Sequence, residues 1–184
     1  MNINIHDFLT KPETNAADMC TFLCEYHKLS DAQKDDFFEY RHLSEAFFQF
    51  MTNTELLTRV LSAQNVDEDV LYLFGEHFEA SDFTYHQAIA IMRQYLTHEE
   101  KIDSYVIEDI VENILDNCKV NDDELTKADV EELIKWYKKY TVNSQDSMLS
   151  FLSFLLNNNI LEPDEIKQLC EGDDMPAYDE VENF

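Results

Sequence analysis

Glycine is almost absent from this chain, with only Gly75 and Gly172 among 184 residues. Loops that cradle phosphate groups and the dinucleotide-binding fingerprint both need several glycines at fixed spacing, so the sequence excludes both kinds of site. Proline is also rare, with three residues. So few glycines and prolines favour helices joined by short polar loops over a β fold with many turns.

The chain also has few cysteines and no long apolar run. Four cysteines, at positions 20, 24, 118 and 170, are too few and too scattered for a disulfide framework. No apolar stretch reaches the roughly 18 residues of a membrane-spanning helix. Residues 1–10 have neither the basic start nor the long apolar segment of a signal peptide. We therefore expect a soluble protein in a reducing, cytoplasmic environment.

Basic residues are also scarce. Thirteen Lys and Arg face 39 Asp and Glu, which gives a formal net charge of -26 and a pI of about 4.2. This balance argues against direct binding of nucleic acid or an anionic membrane, because both require positive surface. It favours a basic protein partner or bound cations. The alternative is that the charge only maintains solubility.

Hydrophobic residues, by contrast, make up 45% of the chain, enough for a sizeable core. Apolar residues recur at helical spacing along most of it, and no segment predicts a strand. We expect an all-α protein: a single-domain bundle, or a short solenoid-like stack, of about eight to nine helices. The predicted organisation is an extended N-terminal lead-in over residues 1–13, a helical domain over 14–170 and a flexible acidic tail over 171–184.

The segment from Asp35 to Met51 is the predicted centre of the core. Its apolar and aromatic side chains surround the helix nearly completely, which is typical of a helix covered by its neighbours. Ser30, followed three residues later by Gln33, forms a capping-box pattern at the start of this helix.

One acidic segment resembles a calcium-binding loop in spacing. Counting from Asn65, oxygen ligands fall at positions 1, 3, 5 and 12, supplied by Asn65, Asp67, Asp69 and Glu76. Val70, however, stands where the sharp turn of such a loop needs glycine, and an apolar helical run follows it. We interpret these acids as the first turn of a helix, where negative charge is favourable.

Other candidate sites are equally incomplete. Cys20, Cys24 and His27 are spaced to share one helix face and hold zinc, but no fourth ligand is evident, and the same face is typical of core. His77-Phe-Glu79 matches half of a zinc deaminase signature whose cysteine half is missing. We therefore predict no catalytic residue, no metal site and no cofactor, and hence a protein that is not an enzyme.

The remaining feature is an organised negative surface. Residues 60–118 contain 13 acids and only two bases, Arg93 and Lys101. Glu108, Glu112 and Asp116 recur every four residues, which places neighbouring carboxylates about 6 Å apart along one helix face. The residues predicted to bind a partner are Asp67, Glu68, Asp69, Glu76, Glu79, Glu108, Asp109, Glu112, Asp116, Asp122, Asp123 and Glu124.

Three functional hypotheses follow from these patterns, and the least favoured is a metal-dependent protein that uses the Asn65 or the Cys20 cluster. In the first, a line of fixed carboxylates imitates a nucleic-acid backbone, and the protein binds and inhibits a basic partner such as a nuclease, a toxin or another nucleic-acid-binding protein. Immunity proteins and phage-type inhibitors of bacterial defence use surfaces of this physical kind. In the second, the protein is a helical adaptor or chaperone that holds a peptide in an apolar groove, since Tyr and Phe total 22 residues. The sequence does not define an oligomeric state.

Overall fold

The computed structural model describes residues 3–119, 125–141, 145–172 and 175–184, and this part of the chain forms twelve α-helices and no β-strand. In chain order the helices are α1 (Ile5–Thr10), α2 (Ala16–Cys24), α3 (Asp31–Tyr40), α4 (Glu45–Met51), α5 (Thr54–Leu61), α6 (Glu68–His77), α7 (Tyr85–Tyr95), α8 (Ser104–Asn117), α9 (Lys127–Tyr140), α10 (Gln145–Asn157), α11 (Pro163–Leu169) and α12 (Tyr178–Asn183). The predicted all-α class is confirmed, with somewhat more helices than the eight or nine expected.

Helix starts follow local capping chemistry. Ser30 accepts from the backbone N–H of Gln33, whose side chain bonds back to Ser30, so the predicted capping box opens α3. Thr126 and Asp129 form the same reciprocal pair at α9. Pro163 occupies the first turn of α11, where its missing N–H is no loss. Short-range sequence patterns therefore determine these starts.

The predicted continuous helix from Asp35 to Met51 is wrong, because it is two helices. α3 ends at Tyr40, a 3₁₀ turn follows, and Ser44 in extended conformation caps α4 by accepting from the N–H of Phe47. The break turns Phe48 outward, where half of its surface is exposed. Phe37 and Phe47 are fully buried, so the segment still contributes large side chains to the core.

Both ends of the chain contain helix where none was predicted. In the lead-in, residues 5–10 form α1, and Ile5 and Leu9 are buried rather than extended into solvent. In the predicted acidic tail, α12 buries Val181, whose carbonyl accepts a hydrogen bond from Ser153 at 3.0 Å. Apolar residues at helical spacing inside short polar segments explain both differences.

Contacts divide the chain into two compact units, which are described separately. Unit 1 comprises Met1–Phe78 and Ala90–Ile102. Its core is rich in aromatic rings: Phe37 lies 5.3 Å from Phe22 and 5.4 Å from Tyr26 between ring centroids. Tyr95 packs 4.5 Å from Phe74 and donates its hydroxyl to the Leu71 carbonyl. These rings hold α2, α3, α6 and the end of α7 together within the unit.

Unit 2 comprises Glu79–Ile89 and Asp103–Phe184. In this unit α8 packs against both α9 and α10, and α10 also packs against α11 and α12. Tyr85 is buried against Phe151 and Phe154, and its hydroxyl donates to the Leu115 carbonyl at 3.0 Å. The inner faces of α8 and α10 thereby form the core, which leaves the acidic outer face of α8 at the surface.

Candidate functional site: acidic faces of the two units

In unit 1, α3 and α6 are joined by two clusters of polar contacts with an aromatic pair between them. At one end, the Lys34 ammonium lies 2.7 Å from Asp67 and 3.3 Å from Asp69. Hydrogen bonding to Asp67 is the main cause that raises the pKa of Lys34. Asp67 also caps α6 by accepting from the N–H of Asp69. Because Lys34 and Asp67 are only slightly exposed, this is a partly buried structural pair.

At the other end, Arg41 gathers three acceptors. It donates to the Phe38 carbonyl at the end of α3, to Glu76 at 3.0 Å and to Nε2 of His77 at 3.3 Å. An Nε2 that accepts from a guanidinium belongs to a neutral imidazole. Burial, the largest cause, lowers the pKa of His77 and favours the same neutral form.

The aromatic pair lies between these two clusters. The rings of Phe38 on α3 and Tyr72 on α6 are 6.4 Å apart between centroids, and the Arg41 guanidinium lies 5.0 Å from the Phe38 centroid. Positions 34, 38 and 41 therefore meet α6 in order along its length. We call this set of contacts the α3–α6 seam, defined by Lys34, Phe38, Arg41 and their partners on α6.

The seam changes the role of several predicted partner-binding residues. Asp67, Asp69 and Glu76 all have a basic partner inside the unit, so their charge is partly neutralised. Glu68 is exposed at the start of α6, and no salt bridge in the described part of the chain includes it. The sequence located these acids at one helix correctly but could not show that bases 33 and 35 positions away bind them.

A group of exposed acids that the seam does not neutralise lies on α3. Asp31, Asp35, Asp36 and Glu39 are all exposed, and among the described residues none of them forms a salt bridge. Asp31, Asp35 and Glu39 are four residues apart, so their carboxylates follow one line at about 6 Å intervals. We call these four residues the α3 acidic face. The spacing was visible in the sequence, but the aromatic residues of the same segment drew the interpretation towards core.

In unit 2, α8 carries the row predicted from the sequence. Asp116 is exposed, as is Asp109 beside the row, whereas Glu108 and Glu112, the other two members of the row, are half-buried. Asp116 accepts a hydrogen bond from Ser147 on α10 at 2.8 Å, which fixes its carboxylate. We call these four acids the α8 acidic face. The sequence predicted a fully solvent-facing row, and the structure shows one that is only partly exposed.

The remaining predicted residues lie elsewhere. Glu79 is exposed just before the 3₁₀ turn Ala80–Asp82 in unit 2, so it is not on the helix that carries Glu76. Asp122, Asp123 and Glu124 lie outside the described residues. The acids predicted to bind a partner are therefore divided between unit 1 and unit 2.

The candidate metal ligands do not come together in the described part of the chain, which contains no cluster of three or more His, Cys, Asp or Glu suited to a metal ion. α2 ends at Cys24, and His27 follows in a 3₁₀ turn, so the predicted shared helix face of Cys20, Cys24 and His27 is wrong. Cys20 is fully buried, and burial is the main cause that raises its thiol pKa to about 11. Such a thiol is a core residue rather than a reactive one.

Comparison with known proteins adds no family. No protein-family model matches the chain, and no curated protein and no solved structure shows a significant similarity to it. Within the described residues, no helix combines the length and the apolar character that crossing a membrane requires. Function must therefore be argued from the surface itself, where rigid helices present lines of carboxylates that attract cationic groups.

Proposed function

We propose that this protein is a non-enzymatic binding protein that captures and inhibits a basic protein partner, such as a nuclease, a toxin or another nucleic-acid-binding protein. The observation that supports this proposal most directly is the α3 acidic face. Four exposed carboxylates stand on one regular helix, and no base in the described part of the chain neutralises them. Arg and Lys side chains that normally contact phosphates would find a fixed line of negative charge there.

The rigidity of the support matters for this role. α3 is capped at its start, and the seam to α6 holds its other side. Carboxylates on such a helix need little reordering when a partner arrives, so less free energy is lost on binding than with a flexible acidic segment. The summed field of a chain with formal charge -26 also accelerates the approach of a basic protein.

Inhibition follows from competition for one surface. A nucleic-acid-binding protein uses its basic patch to release counterions from the phosphate backbone. If that patch is covered by the α3 acidic face, nucleic acid and this protein exclude each other. We therefore expect no direct binding of nucleic acid by this chain, and we expect added nucleic acid to displace it from its partner.

The experiment is a capture from cell extract at about 50 mM and about 500 mM salt, where screening differs strongly. Captured proteins are identified and purified. The rate at which each one associates with this protein is then measured at several salt concentrations. A triple variant, Asp31→Asn, Asp35→Asn and Glu39→Gln, removes three charges from the α3 acidic face. The matched control, Glu171→Gln, Asp179→Asn and Glu182→Gln, removes three exposed charges near the C-terminus.

A basic protein should be captured at low salt and released at high salt. The α3 triple variant should slow association and reduce the slope of log affinity against log salt, while the control triple should change both much less. A partner held equally well at both salt concentrations, and unaffected by the α3 triple variant, would contradict the proposal.

A second candidate function rests on an open groove in unit 1 that is lined by aromatic as well as charged side chains. Between α1 and α2 lies an open groove of about 410 Å³ whose lining includes Phe8 and Phe22, with rings stacked at 4.9 Å. An adaptor or chaperone could hold an apolar peptide there. Binding of that kind should persist at high salt and be lost in Phe8→Ala, so the same capture experiment separates the two functions.

The cysteines bear on where such binding takes place. All four are free, and Cys20 and Cys118 are buried, with the pKa of Cys118 raised to about 12 by burial. Free thiols persist most readily where the environment is reducing, which supports a cytoplasmic partner.

A further inference from the structure

Tyr72 is the exposed aromatic side chain of the α6 surface. It stands in the middle of α6 with 57% of its surface accessible, and Glu68 and Glu76 lie one helical turn away on either side. Single exposed apolar residues are common and need no explanation. Tyr72 differs because a second ring, that of Phe38, packs beside it. The result is a small aromatic platform bordered by carboxylates.

The chain itself already holds one guanidinium beside this aromatic pair. Arg41 places its guanidinium 5.0 Å from the centroid of Phe38 and pairs with Glu76 at 3.0 Å. One aromatic face and one carboxylate thus already hold one guanidinium in the seam. Tyr72 and Glu68 offer the same two groups, a ring and a carboxylate four residues apart, on the side of α6 that faces solvent.

We propose that the surface around Tyr72 and Glu68 receives an arginine side chain of the basic partner, with its guanidinium stacked on the Tyr72 ring. This inference rests on the proposed function and specifies its partner chemistry. A guanidinium combines stacking on a ring with paired hydrogen bonds to a carboxylate, whereas an ammonium is compact and strongly hydrated. The site should therefore prefer arginine to lysine, which charge alone does not do.

Charge complementarity selects this occupant over the others. A second copy of the chain would bring another formal charge of -26 to an already negative surface. An anionic membrane would be repelled for the same reason. An uncharged apolar segment would leave the carboxylates of Glu68 and the neighbouring α3 acidic face without partners.

The test uses two fluorescent peptides, nona-arginine and nona-lysine, titrated with the full chain and followed by fluorescence anisotropy. The variants are Tyr72→Ala, Tyr72→Phe and, as a matched control, Tyr105→Ala. Tyr105 is equally exposed, at 59%, and also lies near acids, on α8 in the other unit. All three substitutions are at the surface, and thermal unfolding checks that each variant keeps its fold.

We expect Tyr72→Ala to weaken nona-arginine binding about two- to fivefold, the usual worth of an exposed cation–π contact. Tyr72→Phe should retain the affinity, Tyr105→Ala should change it little, and nona-lysine should lose less than nona-arginine. Equal losses from Tyr72→Ala and Tyr105→Ala, or equal losses for both peptides, would overturn the inference. A dimer that Tyr72→Ala dissociates in sedimentation would also overturn it, because a second copy would then be the occupant.

The two proposals fail in different ways. If the unmodified chain binds neither peptide at low salt, the proposed function itself is contradicted. If it binds both in a salt-dependent manner and Tyr72→Ala has no effect, the acidic surface stands and only the arginine site is refuted.

Discussion

Reversal of one charge on the α3 acidic face should stabilise the protein while it weakens partner binding. Glu39 lies in the last turn of α3, and that turn contains no basic residue. A negative charge there opposes the helix dipole, and Asp35 repels it from one turn earlier. Glu39→Lys removes both unfavourable interactions and creates an opposite-charge pair with Asp35 in the favourable order.

The expected gain can be estimated by adding these contributions. Correcting the charge at the helix end is worth about 0.3–1 kcal/mol. Replacing a repulsive pair by an attractive one adds about 0.4–1 kcal/mol, twice the usual value of a single pair. The hydrogen bond between Glu39 and the Tyr40 hydroxyl is lost, but it is exposed and contributes little. After allowance for solvent screening we expect a gain of roughly 0.5–1.5 kcal/mol in the free energy of unfolding.

Glu55→Lys is the matched control, because it changes the net charge by the same amount in the same unit. Glu55 is an exposed acid in the first turn of α5, with Arg59 four residues later. Reversal there should lower stability by about 0.3–1 kcal/mol, since it places a positive charge at a helix start. Urea unfolding at low salt measures both variants. Equal shifts would show that net charge alone sets stability, and would refute the reasoning about the position of Glu39.

Three further predictions concern the core, the seam and the α8 acidic face. Tyr26→Phe should leave stability unchanged or raise it by up to about 1 kcal/mol in chemical unfolding, because no described group lies within hydrogen-bond distance of the buried Tyr26 hydroxyl. Tyr85→Phe loses a hydrogen bond to the Leu115 carbonyl and should cost about 1 kcal/mol. An equal cost in both variants would refute the conclusion that the Tyr26 hydroxyl is unpaired. Burial lowers the pKa of His77 in the folded chain, so the unfolded chain takes up the proton first as the pH falls. The contribution of the neutral ring to stability is therefore complete above the ordinary pKa of histidine and is lost as the pH falls below that value. The stability advantage of the wild type over His77→Gln should therefore shrink between about pH 7.5 and pH 5.5, and a constant difference would contradict the neutral ring. Asp109→Asn with Asp116→Asn should slow association with the captured partner in stopped-flow measurements at low salt, while unchanged rates would remove α8 from the interface.

Local chemistry was readable from the sequence, and this explains which structural features were predicted. The predicted Ser30–Gln33 capping box depends only on residues three apart, and it is present, as is a second box of the same spacing at Thr126 and Asp129. The break at Ser44 also has a local signal, a serine directly before an apolar run. That signal was outweighed by the aromatic residues on both sides, which continue a helical pattern across the break. Sequence periodicity cannot distinguish one long helix from two helices that share a core.

Contacts between distant residues explain what the sequence could not show. Lys34 meets Asp67 across 33 positions, and Arg41 meets Glu76 across 35. Without those contacts, the acids at the start and end of α6 were indistinguishable from exposed ones. The predicted surface therefore included paired acids and omitted Asp35, whose exposure depends on how α3 packs.

The way the chain uses its bases bears on the proposed binding surface. Thirteen bases are available for 39 acids, so each pairing leaves other acids without a base. Lys34 lies one helical turn from Asp31, a spacing at which helix ion pairs form, yet its ammonium is bound by Asp67 and Asp69 on α6. Solubility depends on net charge and is served equally by any arrangement of acids. The proposed surface for a basic partner needs bases that hold the scaffold together and a helix face that stays negative. α3 meets both conditions, since Lys34 binds acids on α6 while Asp31, Asp35 and Glu39 stay exposed.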